Sequence, residues 1–137
     1  MTWKWWDYFD LANDLFSLAA SGNPPRGTSE EACYRACISR AYYATFHRAW
    51  SELSAKFQIV ENRTGGSHEK VIDALREYEN AANVNTQREI RTVGEDLADL
   101  KKLRKTADYK PILKNPQGGA MLALQLARQI DERLVRL

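Results

Sequence analysis

Arg40, Tyr43 and His47 recur at spacings of three and four, so on a helix they stand in one row. A cation, a phenol and an imidazole in line allow two uses. One is a hydrogen-bonded network inside a helical bundle, because buried polar groups need partners. The other is an anion or phosphate site, or a general acid–base histidine supported by an arginine. The second histidine, His68, follows Gly65-Gly66-Ser67 at an expected helix start. Free N–H groups there favour an anion and lower a histidine pKa, and a plain capping or packing role is equally open.

A third group lies late in the chain. Lys101, Lys102, Arg104, Lys105, Lys110 and Lys114 against Asp108 leave a net +5 in fourteen residues. Cations at a helix C-terminus complement the helix dipole. With Tyr109 beside them they also suit RNA, whose phosphates cations track and whose bases stack on aromatic rings.

The elements that must position these groups read as helices. Trp5, Tyr8, Phe9, Ala12, Leu15, Phe16 and Ala19 form one apolar stripe, which predicts a helix from about Trp3 to Ala20, stopped by the Gly22–Gly27 stretch with its two prolines. Trp5 is expected in the core, with Trp3 and Trp6 at its edge. A second helix is predicted from Thr28 or Ser29, with Thr28 and Glu31 as a capping box, to about Phe57, roughly 40 Å long. Its core stripe is Ile38, Tyr42, Phe46, Ala49 and Leu53; Arg40, Tyr43, His47 and Trp50 form a second stripe. A short third helix follows the Ser67 cap, carrying Val71, Ile72, Ala74 and Leu75. A fourth runs from about Thr86 to Ala107 and a fifth from about Gly119 to Arg136, on either side of the Pro111 and Pro116 breaks. No segment alternates with period two. The expectation is one all-α domain over 1–137, an up-and-down bundle of about five helices without a sheet.

The totals fit that expectation. The chain has 137 residues, 44% hydrophobic and 28% charged, with a net charge of +2. This is enough for one core without metal or disulfide. Cys33 and Cys37 lie one helical turn apart, where a disulfide would close almost no loop; they are expected to be free thiols in a reducing cytosol. No second Cys or His pair completes a zinc set, so neither metal nor cofactor is expected. No apolar run reaches membrane length, and the first residues lack the apolar stretch of a secretory signal, so the expected location is cytoplasmic, away from any membrane.

Three separated motifs then fall into one pattern. Ser39-Arg40-Ala41-Tyr42-Tyr43-Ala44-Thr45-Phe46-His47, Ser67-His68 ahead of Val71-Ile72, and Leu103-Arg104-Lys105-Thr106-Ala107-Asp108-Tyr109-Lys110-Pro111 occur in this order. Together they resemble the HEPN-domain family, in particular its small stand-alone proteins, over nearly the whole chain from about Trp5 to Leu134. The resemblance implies a bundle of about five helices that pairs as a homodimer. It implies work on RNA: many HEPN proteins are metal-independent endoribonucleases, often toxins paired with a small nucleotidyltransferase-like antitoxin, or parts of antiviral defence. Their catalytic signature is an arginine, then four to six residues, then a histidine, a count that Arg40 and His47 satisfy on the second helix. Here Arg104 is followed at that distance by Tyr109, whose phenol has an ordinary pKa near 10 and is a weak base at neutral pH. The resemblance therefore marks Arg104, Asp108 and Tyr109 as candidate catalytic groups, with His47 and Arg40 as supporting or alternative ones. Tyr43, His68, Lys101, Lys102, Lys105 and Lys110 are the candidate binding groups. Two other readings stay open. One is a non-catalytic HEPN module that binds nucleotide, RNA or protein. The other is an antitoxin-like or scaffold subunit docking through Trp3, Trp5 and Trp6.

Overall fold

Helix-stop chemistry divides the chain where the glycines, prolines and asparagines fall. A computed structural model describes residues 4–57 and 83–137, with side chains to Leu53 in the first stretch. Four helices are described: α1 (Asp7–Ala20), α2 (Glu30–Phe57), α3 (Val84–Tyr109) and α4 (Pro116–Arg136). There is no strand among the described residues. The bundle is all-α, as expected. The short helix expected after Ser67, His68 itself, and Trp3 lie outside the described residues.

The ends show local causes. Gly22, at φ 76°, closes α1: its N–H donates to the Ala19 carbonyl at 3.0 Å and that of Asn23 to Leu18 at 2.8 Å. This is the paired C-terminal bond pattern that a left-handed glycine permits. The expected Thr28 capping box does not form. Thr28 Oγ1 donates to the Pro25 carbonyl at 2.6 Å, and Ser29 Oγ caps α2 by accepting from Ala32 N at 3.1 Å. Asn83 starts α3 two residues before the expected Thr86, accepting from Thr86 N at 2.9 Å. Asn115 starts α4 by accepting from Gly118 N at 3.1 Å, with Pro116 in the first turn. A proline needs no N–H partner there, so the helix begins three residues before Gly119. A side chain at Gly118 would collide with the Asn115 amide.

α2 is the central element. It packs on α1, α3 and α4; α4 also touches α1 and α3, while α1 and α3 share no contact. The core is built from Ile38, Tyr42, Phe46, Ala49 and Leu53 of α2, Ile90, Val93, Leu97 and Leu100 of α3, and Ala123, Ala127, Ile130 and Leu134 of α4, while Leu103, the last residue of the expected α3 stripe, is only half-buried. Each fully buried Leu or Ile contributes roughly 1.5–3 kcal/mol. The second stripe, Arg40, Tyr43, His47 and Trp50, is half-buried throughout. The N-terminal tryptophans reverse their expected order. Trp6 packs toward the core, stacked on Phe9 with ring centroids 4.4 Å apart, while Trp5 stays at the surface. α1 begins at Asp7, so Trp5 precedes the helix and does not continue its stripe. Cys33 and Cys37 are free and buried, and burial pushes the Cys37 thiol up to about 12, which keeps it unreactive.

Long polar links tie the helices. Arg48 Nε meets Asp131 Oδ1 at 3.0 Å, Arg133 meets Glu89 at 3.1 Å, and Arg128 donates to Asn13 at 2.9 Å. Arg35 does more than these. Its Nη1 donates to the carbonyls of Ala107 at 2.8 Å and Lys110 at 2.7 Å, and its Nη2 to that of Pro111 at 3.2 Å. One α2 arginine thus satisfies the carbonyls that the end of α3 leaves open. Arg35→Met is expected to destabilise the fold by about 2 kcal/mol, a typical loss for charge-assisted bonds, and Arg35→Lys to recover only part of it. Urea denaturation followed by circular dichroism measures both.

Candidate functional site

Arg104 sits on the core-facing stripe of α3, one turn beyond Leu100. Its side chain therefore enters the seam with α2 rather than solvent, and the residue is only 5% exposed. Three aromatic rings receive it. Its Cζ lies 5.2 Å from the Tyr42 ring centroid, 5.7 Å from Tyr43 and 5.7 Å from Tyr109. Rings at this range attract a cation through their quadrupole. The polar partners of Arg104 are Tyr42, Tyr109 and Asp108, and the contacts to Tyr109 and Asp108 are long. Nη1 is 3.7 Å from Asp108 Oδ2 and donates to the Tyr109 hydroxyl at 3.4 Å. Nε is buried and has no hydrogen-bond partner among the described residues. Burial pushes the Tyr42 phenol well above its usual range, with the Arg104 guanidinium pulling the other way. The Tyr42 hydroxyl therefore stays protonated against Arg104.

The site extends from there along α2. Ser39 Oγ donates to Asp108 Oδ2 at 3.4 Å, so Asp108 lies between Ser39 and Arg104. Tyr43 is shared: the Arg40 Cζ lies 5.6 Å from its ring, on a helix position one turn earlier. Arg40 in turn lies 5.0 Å from the Tyr8 ring of α1. Tyr8 meets Trp5 at 5.9 Å between centroids, and Trp5 stacks on His47 at 3.7 Å with ring planes 12° apart. A strip of cations and aromatic rings runs from Tyr109 through Arg104, Tyr43, Arg40, Tyr8 and Trp5 to His47.

The sequence-derived candidates divide accordingly. Arg104, Asp108, Tyr109, Tyr43 and Arg40 come together. His47 does not join Arg104; its ring contacts are Trp5 and Phe46. It lies at the far end, in a cleft of about 460 Å³ that Lys4, Trp6, Arg48, Ser51 and Asp131 also line. The charges there are already matched, since Arg48 pairs with both Asp131 and, at 2.8 Å, Glu52. Lys101 and Lys105 precede Asp108 on α3 by about two turns and one turn, while Lys102 lies about half a turn round the helix from Arg104. Lys110 follows the helix end and is exposed. Tyr109 is 73% exposed, so its ring is open to a stacking partner.

Sequence reasoning missed Tyr8, Tyr42 and Ser39 as site residues. Tyr42 reads as core from its stripe, and it is core. It became a site residue only because Arg104 is buried against it. Among the described residues no cluster of three metal-ligating side chains occurs, and no helix is long and apolar enough to cross a membrane. No protein-family model matches this chain, and neither a curated protein nor a solved structure matches it.

Burial holds His47 below its ordinary pKa near 6.5. The unfolded chain then takes up this proton before the folded one does. The stability His47 contributes is complete above about pH 6.5 and is lost as pH falls through its lower folded value. In a His68→Gln background, the His47 ring resonances are expected to titrate below 6.5, and Trp5→Ala is expected to bring the midpoint back toward it. NMR titration reads both.

Proposed function

We propose that this chain is an HEPN-like protein that binds RNA along the Arg40–Tyr43–Arg104–Tyr109 strip. The observation that carries the reading is the state of Arg104: a buried guanidinium faced by tyrosine rings and hydrogen-bonded only to their hydroxyls, with Nε unpartnered and the nearest carboxylate at 3.7 Å among the described residues. A buried arginine held for stability alone normally finds short, complete pairing. Exposed Tyr109 offers a stacking face, Lys101 and Lys105 offer charge for phosphates, and Arg40, next to Ser39 on α2, offers a second cation. In this reading the protein works in the cytoplasm as a homodimer, and its further partner is a small nucleotidyltransferase-like antitoxin or another defence protein, as the resemblance implies.

A second reading is metal-independent RNA cleavage, and the placing of Asp108 favours it. Its carboxylate lies between Ser39 and Arg104, where it would take a proton from a 2′-hydroxyl. Arg104 would stabilise charge growing on the attacked phosphate. The 2′-oxygen then bonds to phosphorus as the bond to the 5′-oxygen breaks, and that oxygen takes up a proton. His47, at the other end of the strip, is a weaker candidate for that donor than a group from a second protomer.

Fluorescence anisotropy with a uridine-rich oligonucleotide tests binding. Affinity is expected to fall steeply with salt, to weaken about tenfold in Tyr109→Ala, and to show a shallower salt slope in Lys101→Ala/Lys105→Ala. Absence of salt-sensitive association would remove the proposal. The same proteins incubated with a structured RNA in EDTA separate the two readings. Cleavage that Asp108→Asn and Arg104→Met abolish supports catalysis, and intact RNA leaves a binding module.

A further inference from the structure

α3, α4 and the segment joining them leave a groove of about 750 Å³ on the side of α3 away from Arg104. Its floor is apolar: Leu103, Leu113 and Leu126 lie in it, and Ile112 and Leu122 stand 77% and 44% exposed. Its polar rim is Lys102, Thr106 and Lys114, with Asp99 as the one acid. Isolated exposed leucines need no explanation, but an apolar floor with two lysines on its rim asks for a particular complement.

The same chain carries that complement on α1. Asp7, Leu11, Asp14 and Leu18 follow one another at spacings of four, three and four, so they share one helical face, with Asp10 beside it. All five are exposed, Leu11 and Leu18 to 44% and 39%. The core-facing stripe of α1 is the other one, Phe9, Ala12 and Ala19. Leu11 and Leu18 are seven residues apart, roughly 10 Å along the helix, and the α3 wall from Asp99 to Thr106 has the same seven-residue length. α1 cannot reach its own groove, because it makes no contact with α3.

We propose that the acidic apolar face of α1 in one copy docks into the basic apolar groove between α3 and α4 of a second copy. Leu11 and Leu18 enter the floor, and Asp10 and Asp14 meet Lys102 and Lys114. The contact joins two different surfaces, so it is heterologous and propagates to a ring or a chain rather than stopping at a symmetric pair. It uses neither the Arg104 strip nor RNA, and stands independently of the RNA-binding reading.

Charge reversal tests it. Wild type is run in sedimentation velocity over a concentration series without RNA, beside Lys102→Glu/Lys114→Glu, Asp10→Lys/Asp14→Lys and the chain carrying all four substitutions. Circular dichroism checks that each is folded. Wild type is expected to grow beyond a dimer with concentration and with falling salt. Each double reversal is expected to weaken this association at least tenfold, and the quadruple reversal to regain it. The proposal is overturned by association that neither pair changes, by loss that the quadruple chain does not regain, or by a dimer that does not grow further. It is equally overturned if Lys102→Glu/Lys114→Glu leaves mass unchanged and instead lowers affinity for the uridine-rich oligonucleotide, which would give the basic rim to RNA.

Discussion

The burial of the Arg104 guanidinium between α2 and α3 is the constraint on which the rest of the arrangement depends. Removing a charge from water costs several kcal/mol in a protein interior, and each tyrosine face returns only about 0.5–2 kcal/mol. A well-packed apolar side chain of similar size would hold the seam as well or better. Stability alone therefore explains the charge poorly, and the proposed RNA-binding role would account for it. Tyr42 and Tyr43 must both turn toward α3 to receive it, which fixes the rotation of α2. Asp108 and Tyr109 must lie one turn past it, which requires the last turn of α3 to be held, and Arg35 holds it from α2.

That rotation of α2 has a second consequence. With Tyr42 directed into the core, Arg40, Tyr43 and His47 fall on the margin, half in and half out. α1 and the residues just before it cover this margin only partly, and do so with aromatic rings: Tyr8 under Arg40 and Trp5 over His47. Rings face Arg40 and Arg104 along the seam because a cation at a half-buried position is well accommodated by a polarizable face that needs no hydrogen bond. The same property suits a nucleobase, which presents a π-face to arginine or tyrosine alike.

Helix patterning carried most of the fold in the sequence. The apolar stripes of α2, α3 and α4 are buried as their spacing implies, half-buried Leu103 apart, and the breaks fall at glycine, proline and asparagine. Errors came where a local signal competed with a neighbour. Ser29 took the cap from Thr28, and Pro116 started α4 ahead of the glycines. Trp5 fitted the α1 stripe by spacing but lies before the helix, where that spacing has no meaning. The site was legible in its residue types and motifs but not in its pairings. Ser39 to Asp108 spans 69 residues and Arg35 to Ala107 spans 72, and no local pattern encodes such contacts. The separation of His47 from Arg104 follows from two helices crossing at one seam, which a one-dimensional spacing between arginine and histidine does not express.

Whether Arg104 is held open for a ligand is the central matter, and the side-chain Nε–H resonance of Arg104 reports on it directly. In a 15N-labelled protein, assigned by its loss in Arg104→Met, that resonance is followed while a uridine-rich oligonucleotide is added at low salt. The account predicts a saturable shift of the Arg104 resonance together with the Tyr109 ring, reversed by added salt. An Arg104 resonance that stays in place while the oligonucleotide binds, or an oligonucleotide that does not bind at all, would contradict it.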